Sequence, residues 1–323
     1  MGFVSFGKKG DDKALIELID RSITSVTIPN GVTNIGAYAF NGCGNLSSVI
    51  IQEGVTSIST CAFQSCKKLS SVTIPKGVTN IGTYTFSGCS ALVNITIPNT
   101  VISIGGFAFN GCSSLLGIKI PEGVTEIGSY TFQSCGSLES IIMPEGITNI
   151  GAYAFNGCSN LKNIAIPNGI TSIRSYTFNN CRSLENVVIP EGVTIIGGNA
   201  FNGCSNLTSV IMQEGVTSID TCAFQNCSKL ASFKLPSSVT SIANYTFQGC
   251  SKLSALILLG NTVVSLNNTK ALADTPILKS KGYIYVPTNL LEDYKTATNW
   301  VTFADQFRAI EDYPEVLEVS GND

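Results

Sequence analysis

The chain has 323 residues, of which 44% are hydrophobic and only 13% charged; its formal net charge is −3 and it contains no histidine. This composition is globular. It excludes the basic footprint of a nucleic-acid or anionic-membrane binder, and it removes the commonest general base and metal ligand. No apolar run approaches the roughly 20 residues that a membrane span needs.

In chain order, the start from Met1 to Lys9 lacks the basic-then-apolar pattern of a secretory leader, and Ser5 falls one place early for a myristoylation start. The reading here is a piece of a longer exported protein, or a protein exported without a leader. Asp11 and Asp12, followed by Ala14, Leu15, Ile16, Leu18 and Ile19, predict a short helix with an acidic first turn. Residues 1–20 are therefore expected to form an N-terminal region with a helical cap.

From residue 21 a clock of 23 residues takes over. Phenylalanine recurs at this spacing ten times, from Phe40 to Phe247, with a cysteine three places later each time, from Cys43 to Cys250. A leucine follows three places further on, from Leu46 to Leu253, and an isoleucine precedes each phenylalanine by five, from Ile35 to Ile242. Within one unit, Leu69, Val72 and Ile74 share one face of a short strand by period two. Pro75 ends that strand, because proline cannot donate to a continuing ladder. Gly77 supplies a turn, Val78 and Ile81 return to the core, and Tyr84 and Phe86 add bulk on the opposite side. One such unit cannot bury its apolar side alone, so stacking is required and like residues must form columns. The expected fold is a repeat solenoid of ten 23-residue units over 21–275, with a parallel β-sheet on its concave face and short helical caps.

Beyond Leu258 the clock fails, although Val263, Val264 and Leu266 still carry apolar pattern. Residues 276–323 read as a strand-helix cap and tail. Tyr283 to Val286 predicts a last strand, and Asn289 with Glu292 resembles a capping box opening a helix to about Ala297. Trp300, Phe303 and Phe307 would close the core, and Pro314 onward is expected to fray.

The unit is similar to the leucine-rich repeat. It most closely resembles the bacterial BspA-type (treponemal) branch, whose repeat reads roughly Leu-x-x-Ile-x-Ile-Pro…Ile-Gly-x-x-Ala-Phe-x-x-Cys. Residues 32–43, Val-Thr-Asn-Ile-Gly-Ala-Tyr-Ala-Phe-Asn-Gly-Cys, fit it closely, and the resemblance runs over about residues 21–258. The segment from Tyr283 to Trp300 resembles the terminal cap of such proteins from gut Firmicutes; the family also occurs in Bacteroides. The chain departs from the general repeat at the asparagine position, where Gly54, Gly77 and Gly123 stand instead. A buried asparagine ladder is therefore not expected. The resemblance implies a non-enzymatic adhesion or protein-binding module, extracellular or at the cell surface.

The cysteines offer no metal pattern, since no Cys-x-x-Cys pair occurs. Ten equivalent sulfurs pointing the same way cannot all pair, so a buried, reduced ladder is favoured over disulfides between adjacent rungs. Cys61 and Cys222 replace tyrosine and are expected to be partly exposed. The tyrosine column (Tyr38, Tyr84, Tyr130, Tyr153, Tyr176, Tyr245) is read as a lid on the phenylalanines with wet hydroxyls; a carbohydrate-stacking platform is the alternative.

Outward strand positions give the candidate binding face: Ile50, Thr73, Thr96, Lys119, Ile142, Val188, Ile211 and Lys234. Its apolar members, together with Ile257, either mark an interaction surface or are strand formers tolerated there. No carboxylate pair or nucleophile constellation converges, so no catalytic, cofactor or metal residue is assigned. The expected partner is a protein or glycan bound by a monomer, with no nucleic acid. The alternative is a structural or receptor-binding protein of a phage tail, made in the cytoplasm.

Overall fold

The computed structural model describes residues 4–9, 12–18 and 21–318. The chain divides into two compact units, Met1–Leu161 and Lys162–Asp323. In each, coils of about 23 residues stack through parallel strands.

In the first unit each coil contributes a longer strand and a shorter one. The longer strands pair in the predicted register, as in Ser25–Thr27 with Ser48–Ile50, Ser71–Thr73 with Asn94–Thr96, and Gly117–Lys119 with Ser140–Ile142. The shorter strands form a second ladder through Asn34–Ile35, Ser57–Ile58, Asn80–Ile81 and Ser103–Ile104. The period-two pattern is obeyed, with Val72 buried between exposed Ser71 and Thr73.

The N-terminal helix expected from the acidic start is not formed. Asp12–Leu18 is a strand, antiparallel to Val4–Lys9 and parallel to Asn34–Ile35; Asp11 and Ile19 lie outside the described residues. The physical reason is the first rung's open edge. Its unpaired main-chain groups are a template for another strand, whereas a helix laid there would leave them unsatisfied.

The core is a set of columns. In the first unit the rings from Phe40 to Phe155 stack at 5.1–5.6 Å with planes within 7°. In the second, Phe178, Phe201, Phe224 and Phe247 stack at 5.2–6.0 Å. None of the twelve cysteines, all of them among the described residues, forms a disulfide, and eleven are buried. Their chemistry explains why cysteine holds the position. The thiol of Cys112 donates to the carbonyl of Phe86 one coil back at 3.2 Å, and the same carbonyl accepts the amide of Cys89. Cys66, Cys89, Cys135 and Cys158 repeat this in the first unit, and Cys204, Cys227 and Cys250 in the second. Both lone pairs of a buried carbonyl are thereby used by a side chain small enough to stack.

Two left-handed positions recur in every coil. One takes Gly88, Gly111, Gly157 or Gly203, and is occupied by Ser65, Ser134, Asn180 and Asn226 elsewhere, all at φ between 58° and 77°. The other takes the aromatic column: Tyr84, Phe107, Tyr130 and Tyr153 sit at φ 58–62°. A bulky residue there costs about 1–2 kcal/mol. Stacking offsets it, with ring centroids 4.4–4.6 Å apart along these four residues. Close approach of coils sets another glycine: a Cβ at Gly82 would lie 2.6 Å from main-chain atoms of Ser59 and Thr60.

Polar columns complete the coil. The asparagine ladder is absent where the general repeat has it, but an amide column forms one place after the phenylalanines. Asn41 donates to Gln64 at 2.7 Å and Asn110 to Gln133 at 2.8 Å; in the second unit Gln225 donates to Gln248 at 2.6 Å. Threonine hydroxyls likewise donate to the preceding coil, as from Thr217 to the Thr194 carbonyl. Among the described residues no buried side-chain nitrogen or oxygen lacks a partner. A charge-poor surface is thus satisfied along the stack rather than by ion pairs.

The second unit carries the repeat past its sequence signal. Ser265–Leu266 still pairs with Ser241–Ile242, and Phe247 donates its amide to Ala271 where a phenylalanine coil would have stood. The longer-strand sheet runs Ser232–Leu235, Ala255–Leu258, Tyr283–Val286 and Phe307–Ala309. The 276–323 segment is therefore more than a cap, since it supplies two further rungs. Its helix, Leu291–Thr296, is shorter than expected, and the capping box does not form. A turn over Thr288–Leu290 leads into it, and Glu311 instead accepts from the Thr288 amide and hydroxyl at 3.0 and 2.6 Å. Trp300, Phe303 and Phe307 are buried as expected.

Candidate functional site

In each unit the outward side of the longer strands carries some of the predicted residues. In the first unit Ile50 is 55% exposed and Ile142 62%, while Thr73, Thr96 and Lys119 are also exposed. Register sets neighbours: Thr73 lies beside Thr96, and Lys119 beside Ile142. Isoleucine at these positions is a strand former whose side chain the pleat turns outward. Ser48, Ser71 and Ser140 line the parallel row two residues before, so the apolar groups stand among small hydroxyls.

In the second unit Val188 is 49% exposed and lies beside Ile211, which is half-buried. Next to them the ladder thins to a single bridge between Asn163 and Asn186. Ala165, Val188, Pro190, Glu191 and Gln213 border a groove of about 450 Å³ there. Further along, Lys234 is half-buried and Ile257 fully buried. Ile257 therefore does not belong to an exposed apolar row. The tail expected to fray covers it instead: Ile310 and Val316 pack on Ile257 and Tyr285. Sequence reasoning missed this cover because Ile310 and Val316 stand in short apolar pairs, Ala309-Ile310 and Val316-Leu317, broken by acidic residues and Pro314, with no strand or helix period. The alternation of Tyr283 and Tyr285 was the available signal that the face continued.

The tyrosine column does not offer a sugar platform along Tyr84 to Tyr153, because each ring face is covered by the next ring. Tyr38, next to Cys61, stands apart at 59% exposure. The Cys61 thiol is the first cause of the raised Tyr38 hydroxyl pKa. Cys61 itself is buried, contrary to expectation, because the column closes over its small side chain; Cys222 is the half-exposed one. Burial pushes both thiols above the ordinary value.

Among the described residues no group of three or more Cys, Asp or Glu is placed to hold a metal ion, and no helix is long and apolar enough to cross a membrane. The arrangement in each unit suits contact chemistry: a periodic outward row of hydroxyls, a lysine and separated branched aliphatics.

Comparison with known proteins adds the family. The profile of the BspA type leucine rich repeat region, six copies long, matches residues 19–135, 81–207, 125–254 and 171–281. A solved leucine-rich repeat protein from Bacteroides ovatus is 27% identical, with a TM-score of 0.64, over 90% of this chain and 84% of that one. The leucine rich repeat protein of T. pallidum is also 27% identical, over 64% of this chain and 87% of that one, with a TM-score of 0.46. A leucine rich cell surface protein from Faecalibacterium prausnitzii is 26% identical over 77% and 80%, with a TM-score of 0.37. No curated protein matches significantly. With coils, cysteine column and profile in agreement over most of its length, the chain belongs to the BspA-type leucine-rich-repeat family.

Proposed function

We propose that the chain is a non-enzymatic interaction module of the adhesion type, cell-surface or secreted, that binds a host protein or glycan as a monomer. BspA-type proteins are scaffolds often found at the surface or secreted, which supports the location. The observation carrying the reading is the outward row of the first unit, with Ile50 and Ile142 exposed among serines, threonines and Lys119; the second unit presents exposed Val188 on its own outward row. Branched aliphatics rimmed by small polar groups are the anatomy of a macromolecular contact, where a few anchors carry the energy. A surface spread over successive rungs suits an extended partner better than a small molecule, which needs a concave, mostly enclosed pocket.

The test is binding to an array of matrix proteins and glycans by the wild-type chain and by Ile50→Glu, Ile142→Glu and Ile211→Glu. The expected outcome is saturable binding that at least one substitution weakens about tenfold or more. Binding unchanged in all three would move the site off this face. Turnover of any glycan or peptide on the array would overturn the non-enzymatic reading.

A further inference from the structure

The outward row has a different fate at its last rungs. Lys234, Ile257, Tyr285 and Arg308 are successive neighbours in the sheet. Ile257 is 1% exposed and Tyr285 9%, whereas Val188, at the equivalent position nearer the start of the same unit, is open. The cover is the chain's own C-terminal turn. Val316, 8% exposed, packs on Ile257 and Tyr285, and the Tyr313 ring meets Tyr285 edge-on at 5.7 Å. Lys234 Nζ donates to the Leu317 carbonyl at 3.2 Å. Arg308 borders the patch, its guanidinium lying 4.3 Å from the centre of the Tyr283 ring.

The turn is held to this floor lightly. Its amides bond within the segment, from Tyr313 to Ile310, Val316 to Tyr313 and Glu318 to Glu315. Among the described residues, the Lys234 bond is the only hydrogen bond from 313–318 to the sheet. A patch with an aliphatic and aromatic floor, a lysine donor for a main-chain carbonyl and an arginine at its border is built to recognise a peptide. The segment seated on it supplies the complement: Val316 as the buried anchor, and the carbonyl of the next residue, Leu317, for Lys234.

We propose that this patch is a peptide-binding site occupied in cis by Tyr313–Leu317. In trans it accepts from a partner protein a short segment of the same chemistry, a branched aliphatic anchor followed by a residue whose main-chain carbonyl is free to accept. The aliphatic side chain replaces Val316 over Ile257 and Tyr285, and its neighbour's carbonyl takes the Lys234 bond. This goes beyond the proposed adhesion face and does not depend on it, since the patch is defined by the cis contact.

The test uses the full chain and a fluorescently labelled peptide with the sequence of residues 313–318. In Val316→Asp the cis segment loses its anchor, and the peptide is expected to bind at least about tenfold more tightly than to wild type, whose site is mostly filled. Ile257→Asp added to that variant, or Val→Asp in the peptide, is expected to abolish binding. A folded Val316→Asp chain that ignores the peptide at millimolar concentration would leave the turn a mere end-cap and overturn the proposal; so would binding indifferent to Ile257→Asp. Should Val316→Asp not fold, hydrogen exchange on wild type decides. Excess peptide is expected to speed exchange of the Val316 and Glu318 amides severalfold, and unchanged exchange refutes displacement. Ile142→Glu should leave every one of these readings unmoved, which separates this site from the adhesion face.

Discussion

The repeated coils and the C-terminal rungs solve the same problem by opposite means. In the coils, like meets like: phenylalanine rings lie parallel, thiols donate to the coil before, and amides pass hydrogen bonds along a column. At the C-terminus, unlike meets unlike. Trp300 meets Tyr294, Phe303 and Phe307 at ring angles of 65–78°. The rung at Val264 has no next copy, so side chains replace it: Tyr294 Oη accepts the Val264 amide at 2.9 Å and Trp300 Nε1 donates to its carbonyl at 2.6 Å. Asn299 donates to Leu266 at 2.7 Å in the same way. Translation by one coil satisfies every interior group, but it cannot end itself. Ending it takes side-chain groups, from Tyr294, Asn299 and Trp300, in place of the main chain of a next coil.

High pH should break this comparison most strongly, because the last cysteine is Cys250 and the end rungs have none. Burial raises Cys135 from 9.0 to about 12 and pushes Cys112, Cys204 and Cys227 up as well. Below pH 9 folded and unfolded chains both hold these protons, and the stability is fully present. Above it the unfolded chain releases protons that the folded one retains, so stability falls through the window from about pH 9 to 12. The slope is about 1.4 kcal/mol per pH unit for each thiol. Urea midpoints at pH 8 and pH 10.5 are expected to differ accordingly, read by circular dichroism for the coils and by the single tryptophan, Trp300, for the end rungs.

Trp300→Ala attacks the other side. It removes a buried ring, costing about 3–5 kcal/mol, and strips the Val264 carbonyl of its donor, costing a further ~1–3 kcal/mol. Trp300→Phe should show only the smaller loss. Equal unfolding midpoints for the two variants, both of which lack the indole N–H, would mean that the packing of the ring contributes nothing beyond that hydrogen bond.

Within the coils, Cys112→Ala should cost about 1–2 kcal/mol through the lost thiol donation and volume, with Cys112→Ser cheaper because it keeps a donor for Phe86. A serine variant worse than alanine would show that apolarity, not the hydrogen bond, selects cysteine. The smallest effect is a gain. Ser134 occupies a left-handed position at φ 59° where most coils have glycine, so Ser134→Gly should raise stability by up to about 1 kcal/mol in thermal unfolding.

The coil was legible residue by residue. Period two placed Val72 inward and Thr73 outward, and the 23-residue spacing placed each phenylalanine on the next, because a repeat makes its own neighbours. From those rules alone came the core, the reduced cysteines and the positions of Ile50, Ile142 and Val188 on an outward face. Tertiary structure decided what happens where translation stops. Asp12–Leu18 has residues compatible with helix or strand, and the open edge at Asn34–Ile35 makes it a strand. Asn289 has the sequence of a cap, but Glu311 reaches the turn first. Ile257 and Val188 hold the same place in their coils; one is buried and the other open because a turn 60 residues further along the chain from Ile257 lies on it. Sequence pattern records which way a side chain points, whereas the pairing of edges and the covering of faces depend on groups left unsatisfied once the stack is built.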